Sequence, residues 1–101
     1  SATVIVEFHP EAAHEFIETA AYYESAAARL GSRFILAVEA AEALISAHNE
    51  IGQEIESGFR QFVLAEFPHS IIYIFEPDRI WIVAVAHHKR KPGYWLERVA
   101  R

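Results

Sequence analysis

Residues 80–98 read IWIVAVAHHKRKPGYWLER, and the interpretation of the whole sequence starts from this stretch. Its first seven residues, 80–86, are all apolar and predict a central strand of a sheet. Two histidines and three cations follow directly, and Pro92 and Gly93 then break the chain before Tyr94 and Trp95. Charge collected at the end of a buried strand indicates a surface that interacts with something outside the fold.

The composition is that of a folded protein with a single domain, residues 1–101. Of its residues, 52% are hydrophobic, and it has only four glycines and four prolines, which favours a globular core over disorder. The absence of cysteine excludes disulfides and thiolate chemistry and is compatible with a reducing compartment. The apolar run 80–86 is far shorter than the roughly 20 residues of a transmembrane helix. The start of the chain has no secretory signal pattern, so we expect a cytoplasmic protein with no membrane partner.

The charges are divided unequally along the chain. Residues 1–78 contain 13 of the 14 acidic residues and three arginines, a net charge of −10. Residues 79–101 contain six basic residues and one glutamate, a net charge of +5. An acidic surface disfavours sequence-independent binding to nucleic acid, which depends on neutralising phosphates. The basic end could still bind an anionic partner.

The chain before the linker predicts one strand and two helices. Residues 3–8 alternate and are rich in β-branched side chains, which predicts a strand. Pro10 followed by an acid is typical of a helix start. Its apolar residues recur at helical spacing up to about Arg29: Ala13, Phe16, Ile17, Ala20, Ala21 and Tyr23 or Glu24. Gly31 predicts the end of this helix, and Ser32 is suited to cap a second helix, 32–48. The apolar stripe of the second helix is Phe34, Ile35, Val38, Ala41, Leu44 and Ile45.

A polar linker, residues 49–58, separates the second helix from three apolar runs. The runs at 60–67, 70–76 and 79–88 predict strands, and the short links between them make neighbouring strands antiparallel. The predicted order is β-α-α-β-β-β. We therefore expect an α+β fold in which a helix hairpin packs on one face of a mainly antiparallel four-stranded sheet.

This order and several motifs together resemble the RelE/ParE toxin superfamily. The motifs are FHPEA at 8–12, YYE at 22–24, LGSRF at 30–34, Arg60 at the start of the second strand, FPHSIIY at 67–73 and AVAHHKRKPGYW at 84–95. Such proteins are the toxins of type II toxin-antitoxin pairs, often labelled plasmid stabilisation proteins. The resemblance implies a cognate antitoxin as partner, a homodimer or a heterotetramer with the antitoxin, and no cofactor.

The superfamily has two kinds of target, and these imply different sites. RelE-like members cut messenger RNA on the ribosome, which requires proton transfer at the ribose and the leaving oxygen and cations around the phosphate. ParE-like members poison DNA gyrase and need no nuclease site. If this chain is a ribonuclease, the resemblance and the residue chemistry select Arg60, His87, His88, Arg90 and Tyr94 as catalytic.

Each of these candidates also has a structural interpretation. Arg60 could equally form a salt bridge to an acid such as Glu66. His87 and His88 are neighbours on a strand, so their side chains should point to opposite faces. Simple alternation puts His87 with Trp81, Val83 and Val85, and His88 with Ile80, Ile82, Ala84 and Ala86. For Tyr94, packing in a terminal segment that folds back on Trp95 and Leu96 is favoured over catalysis.

The basic residues after the strand predict a contact with a protein partner. Lys89, Arg90 and Lys91 form the densest cationic run, and Arg98 and Arg101 extend it. We expect Lys89, Arg90, Lys91 and Arg98 to bind an acidic or amphipathic segment of the antitoxin. No metal site is expected, because the six histidines lack the spacing of known metal motifs.

Two departures from the ribonuclease pattern favour the ParE-like alternative. His69 occupies the place of a tyrosine often found in the FPY turn. The linker 49–58 carries Glu50, Glu54 and Glu56 where ribonuclease members have basic residues, and these acids oppose an RNA surface. We therefore expect a toxin that acts by protein binding, with gyrase as the implied target, and a binding protein more than an enzyme. The alternatives are a ribosome-dependent endoribonuclease and a non-toxic member that only binds the antitoxin.

Overall fold

A computed structural model describes residues 4–100 and confirms the predicted α+β class with a helix pair and a mostly antiparallel sheet. The elements in chain order are β1 (Ile5–Phe8), α1 (Pro10–Ala26), α2 (Leu30–Ala47), β2 (Gln53–Glu56), β3 (Phe59–Val63), β4 (His69–Glu76), β5 (Arg79–His87) and α3 (Leu96–Val99). The first residue of the predicted strand 3–8 and the last cation, Arg101, lie outside the described residues. No helix within residues 4–100 is long and apolar enough to cross a membrane.

The sheet has five strands, one more than predicted. The additional strand, β2, lies in the stretch expected to be a polar linker, and all four of its residues are exposed. It pairs antiparallel with β3 through a two-residue turn, Ser57 and Gly58, in which both residues have positive φ angles of 52° and 85°. Such turns match the twist of a hairpin. Because neither face of β2 is buried, the hydrophobic pattern gave no sign of it, and the Ser-Gly turn was the available signal.

The strand order is β1-β5-β4-β3-β2, with β1 parallel to β5 and every other neighbouring pair antiparallel. The apolar run of β5 thus lies between β1 and β4, as expected for a central strand. The parallel pair is short. Its register runs from Ile5 opposite Arg79 to Phe8 opposite Ile82, so β1 covers only the first half of β5.

The helix hairpin begins as predicted and turns differently. Helix α1 starts at Pro10, where the Nδ1 atom of His9 accepts the Glu11 N–H at 3.0 Å. Helix α2 starts at Leu30 rather than Ser32, so Gly31 lies inside its first turn. A Cβ atom at Gly31 would lie 2.5 Å from the Ala20 carbonyl oxygen, so this glycine permits close approach of the helices.

The capping of α2 also differs from the prediction. No side-chain cap comes from Ser32. Instead the carboxylate of Glu24 accepts the N–H groups of Arg29 and Gly31, each at 3.0 Å. A carboxylate at a helix N-terminus satisfies free N–H groups and complements the helix dipole. Glu24 therefore joins the two helices, a role that its position at the edge of the apolar stripe did not suggest.

The hydrophobic core has two parts, one on each face of the sheet. The larger part lies between the sheet and the helices and is centred on the fully buried residues Ala12, Phe34, Val38, Ile45, Ile71, Tyr73, Ile80 and Ile82. The smaller part lies on the opposite face, where Trp95 is 3% exposed and its ring centroid lies 4.8 Å from that of Phe59. The C-terminal segment therefore folds back with Trp95 as its anchor, as predicted.

Three large apolar side chains of the predicted helix stripes are exposed. Ile17 is 66% exposed, Leu44 is 44% exposed and Ile35 is 37% exposed. The apolar residues of α1 that pack against the core are Ala12, Phe16, Ala20 and Tyr23. The stripe is narrower than the sequence pattern, so the hairpin keeps exposed apolar side chains on its outer surface.

A β-bulge in β5 changes which side chains share a face. Ile72 pairs with Ala84 and Tyr73 with Ile82, so Val83 has no partner on β4. The extra residue shifts the alternation by one position. Ile80, Ile82 and Val85 consequently face the helices, whereas Trp81, Val83, Ala84 and Ala86 belong to the opposite face. The predicted groups, which assumed strict alternation, were right up to Val83 and wrong from Ala84 onwards.

Candidate functional site at the end of strand β5

The two adjacent histidines lie on opposite sides of the sheet, as predicted, although their neighbours differ. His87 pairs with His69 on β4, and the two ring centroids lie 4.9 Å apart on the helix side. His87 also borders a shallow groove with Thr19 and Tyr23 of α1. The Nε2 atom of His88 lies 3.0 Å from the Ser70 hydroxyl, on the side opposite the helix hairpin. The two imidazole rings therefore do not form one cluster, because the sheet lies between them.

His69 is a core residue. Its side chain is 3% exposed, and its ring centroid lies 5.2 Å from that of Phe34 and 5.9 Å from that of Tyr23. Burial, followed by the neighbouring His87 and His88, lowers the pKa of His69 to about 4. Its Nδ1 atom has no hydrogen-bond partner among the described residues. The ring is neutral at physiological pH and serves as an aromatic packing group in the core.

Sequence reasoning missed Glu15, which has the most hydrogen bonds of the site residues. Its carboxylate accepts the Val85 N–H at 2.9 Å, the Tyr94 hydroxyl at 2.6 Å and the Arg98 guanidinium at 2.5 and 3.0 Å. Arg98 also donates to the Val83 carbonyl at 2.9 Å. We call Glu15, Tyr94 and Arg98 the Glu15 network. The available signal was an acid beside the apolar stripe of α1.

The short first strand explains why this network exists. The last backbone bond on the β1 side of β5 runs from the His9 N–H to the Ile82 carbonyl at 2.8 Å. Beyond it, the Val83 carbonyl and the Val85 N–H have no neighbouring strand, and unsatisfied buried backbone groups are costly. Arg98 supplies the missing donor to the Val83 carbonyl, and Glu15 supplies the missing acceptor for the Val85 N–H. The network therefore closes the exposed edge of β5.

The network changes the ionisation of its members. Burial raises the pKa of the Glu15 carboxyl, but hydrogen bonds from Arg98, Tyr94 and Val85 outweigh burial and leave this pKa below its usual value. Burial and then the hydrogen bond to Glu15 raise the pKa of Tyr94. The hydrogen bond to Glu15 raises the pKa of Arg98. Tyr94 is thus a neutral donor and Arg98, 13% exposed in its side chain, is a cation paired within the protein.

Arg60 is also engaged inside the protein. Its guanidinium donates to the carbonyl of Gly52 at 2.7 Å and to that of Glu50 at 3.2 Å, and it lies 4.0 Å from the Glu54 carboxylate. The alternative partner suggested from sequence, Glu66, instead pairs with Arg33 at 2.9 Å. Arg60 therefore holds the loop that precedes β2.

A cleft of about 360 Å³ opens on the side of the sheet opposite the helix hairpin, and we call it the sheet cleft. Its floor consists of Ser70, Ile72 and Ala86, one wall is formed by Ile55 and Glu56, and the other by His88 and residues 90–95. Four of the five residues proposed for nuclease chemistry line this cleft: His87, His88, Arg90 and Tyr94. The fifth, Arg60, does not line it.

The three consecutive cations after β5 are exposed, and two of them have no ion-pair partner among the residues that the structure describes. The guanidinium of Arg90 lies 3.7 Å from the Tyr94 ring centroid and 4.0 Å from the Glu15 carboxylate. Within residues 4–100, no carboxylate lies within 4.0 Å of the ammonium group of Lys89 or Lys91.

In the same part of the chain, no group of three or more histidine or acidic side chains is arranged to hold a metal ion.

The comparisons with known proteins agree with this fold. The family model described as "ParE toxin of type II toxin-antitoxin system, parDE" matches residues 6–92. A solved structure from the chromosomal ParDE TA system of P. aeruginosa is similar with a TM-score of 0.61 and 14% sequence identity, covering 86% of this chain and 98% of that chain. No curated protein matches. With most of its length matched by the family model, the chain belongs to the ParE toxin family of type II toxin-antitoxin systems.

Proposed function

We propose that this protein is the toxin of a type II toxin-antitoxin pair and that it acts in the cytoplasm by binding a protein target. Family membership supports the first part. One observation carries the second: the groups proposed for nuclease chemistry are mostly held in internal contacts. Tyr94 donates to Glu15, and Arg60 donates to two backbone carbonyls. The exposed lysines remain available to a partner.

The charge distribution supports the same conclusion. Glu54 and Glu56 lie in β2, and Glu50 lies in the loop before it. Glu56 also lines the sheet cleft. A carboxylate at the cleft opposes the phosphate that a ribonuclease must stabilise. A tyrosine with a raised pKa that already donates to a carboxylate is poorly suited to proton transfer.

The proposed target is DNA gyrase. Purified protein is expected to inhibit supercoiling by gyrase and to trap cleaved DNA complexes. The assay is run with the toxin titrated from equimolar to large excess, and heat-unfolded toxin serves as the control. If gyrase retains full activity in excess toxin, gyrase is not the target.

The second candidate function is a ribosome-dependent endoribonuclease, favoured by the placement of His88, Arg90 and Tyr94 along one cleft. It predicts codon-specific cleavage of ribosome-bound transcripts in a translation extract, abolished by Arg60→Ala as the sequence resemblance implies. An intact transcript in a translating extract would eliminate this candidate.

The proposed partner is a cognate antitoxin that neutralises the toxin in a heteromeric complex. Lys89, Arg90 and Lys91 form the proposed contact, and we leave Arg98 out of it because its guanidinium donates to Glu15 and to the Val83 carbonyl. Replacing the three cations with glutamate is expected to weaken the antitoxin complex at least tenfold. An unchanged affinity would refute this contact. Co-expression of this protein with a candidate antitoxin tests whether the two form a complex. If the protein binds the antitoxin but its expression does not arrest growth, it is a non-toxic member of the family.

A further inference from the structure

The sheet cleft combines an apolar floor with walls of opposite charge. Ala86 lies on its floor above the buried Ile72, and Lys91 lies on a cationic wall opposite Glu56. This cationic wall stands out in a protein with a net charge of −5. Lys91 has no ion-pair partner among residues 4–100, so its charge is available to a ligand. The cleft therefore offers separate positions for an acidic group and for apolar side chains.

The chemistry of the cleft favours a peptide over a nucleic acid. Single-stranded nucleic acid binds through aromatic side chains on which its bases stack. The aromatic rings here are occupied: Trp95 is buried against Phe59, and Arg90 covers the Tyr94 ring at 3.7 Å. The carboxylate of Glu56 would also repel phosphates. An apolar floor beside a lysine instead matches a peptide that alternates apolar and acidic residues.

The size of the cleft favours an extended segment. An α-helix with its side chains is about 10–12 Å wide, whereas a volume of about 360 Å³ accommodates only a few side chains. In an extended chain, alternate side chains point to one face. One such residue would rest between Ile55 and Ala86 while an acidic neighbour reaches the wall that carries Lys91.

We propose that the sheet cleft binds an extended segment of alternating acidic and apolar residues from the protein partner. A partner carboxylate pairs with Lys91, and a partner apolar side chain packs between Ile55 and Ala86. The identification of this partner as the antitoxin rests on the proposed function. The binding chemistry of the cleft is independent of the proposed function.

The test uses the full chain labelled with ¹⁵N and titrated with an end-blocked hexapeptide, Glu-Ile-Glu-Val-Glu-Ile. Amide shifts are expected at residues 55–56, 70–72, 86–88 and 91–94, with none on the outer surface of the helix hairpin. Lys91→Glu is expected to weaken binding about fivefold to tenfold, because attraction becomes repulsion at the cleft.

Two further variants separate a specific cleft from general charge effects. Lys89→Glu makes the same charge change two residues away, at a side chain that does not line the cleft, and is expected to change affinity less than twofold. Glu56→Lys removes the repulsive wall and is expected to strengthen binding. Lys89 and Glu56 are both exposed, so neither substitution is expected to change the fold. Circular dichroism checks this.

The proposal is overturned if the shifts fall on the helix hairpin, if Lys89→Glu and Lys91→Glu weaken binding equally, or if a hexamer of single-stranded RNA displaces the peptide. Equal effects of both lysine variants on the antitoxin complex would leave the broader cationic contact intact and eliminate only the cleft. Cleft binding in a protein that neither arrests growth nor binds an antitoxin would retain the cleft and eliminate the proposed function.

Discussion

Two groups of cations near the C-terminus look alike in the sequence and differ completely in the structure. Arg98 is 13% exposed in its side chain and is held by Glu15 and the Val83 carbonyl. Lys89 and Lys91 are exposed, and the described residues provide them with no carboxylate. The difference arises from the short strand β1, which leaves backbone groups of β5 to be satisfied by side chains. The availability of a cation for binding thus depends on which edge of the fold it meets.

The largest expected effect comes from removing the acid that holds Arg98. Glu15→Ala leaves a largely buried guanidinium without its counterion and the Val85 N–H without an acceptor. We expect the free energy of unfolding to fall by about 2–4 kcal/mol. The measurement is urea denaturation at pH 7.

The matched control is Glu18→Ala on the same helix, where the side chain is 69% exposed and its contact with His14 is long at 3.8 Å. This change should alter stability by less than about 0.5 kcal/mol. If both variants lose the same stability, the Glu15 network does not support the fold in the way described.

The next prediction contrasts buried His69 with exposed His88. Burial and the nearby His87 and His88 lower the pKa of His69 to about 4, although the Glu15 charge opposes them, and an unfolded histidine titrates near 6.5. The unfolded chain therefore binds a proton that the native ring excludes. The contribution of His69 to stability is complete above about pH 6.5 and is lost as the pH falls toward 4, about 2–3 kcal/mol in all.

Urea denaturation at several pH values between 7 and 4 measures this loss. His69→Phe keeps the aromatic packing and should flatten the part of the pH profile between 6.5 and 4, relative to the unmodified protein. His88→Gln is the control: it leaves the His69 ring in place and should retain most of this loss, reduced only by removal of the nearby His88 charge, which lowers the pKa of His69. Parallel profiles for the unmodified protein and His69→Phe would show that His69 is not the titrating group.

These comparisons show how much of the molecule its sequence predicts. The helix pair, the strands β3, β4 and β5 and the anchor Trp95 follow from apolar periodicity, because burial of one face leaves a repeating pattern. Strand β2 left no such pattern because both of its faces are exposed. The bulge at Val83 and the Glu15 network depend on register and on the length of a neighbouring strand, which are properties of the assembled sheet. The site residues were identified by type, but their availability was decided by these non-local contacts.

A smaller effect is expected from Arg60, which resembles Arg98 in binding backbone carbonyls. Arg60→Ala removes the contacts with Glu50 and Gly52 that hold the loop before β2. We expect a loss of about 1 kcal/mol in the free energy of unfolding. Arg33→Ala, which breaks the exposed pair with Glu66, should cost less than about 0.5 kcal/mol. Equal losses in urea denaturation would mean that the Arg60 contacts are no stronger than a surface ion pair.

The smallest effect on stability is expected for the lysines, and this small effect is what makes them informative. Lys89→Glu and Lys91→Glu break no ion pair or side-chain hydrogen bond within the described residues, so each should change the free energy of unfolding by less than about 0.5 kcal/mol. The same substitutions are expected to differ in partner binding, because only Lys91 lines the sheet cleft. Stability and binding are measured on the same samples. A lysine variant that destabilised the protein as much as Glu15→Ala would show that the cations after β5 also support the fold, and the contrast with Arg98 would no longer hold.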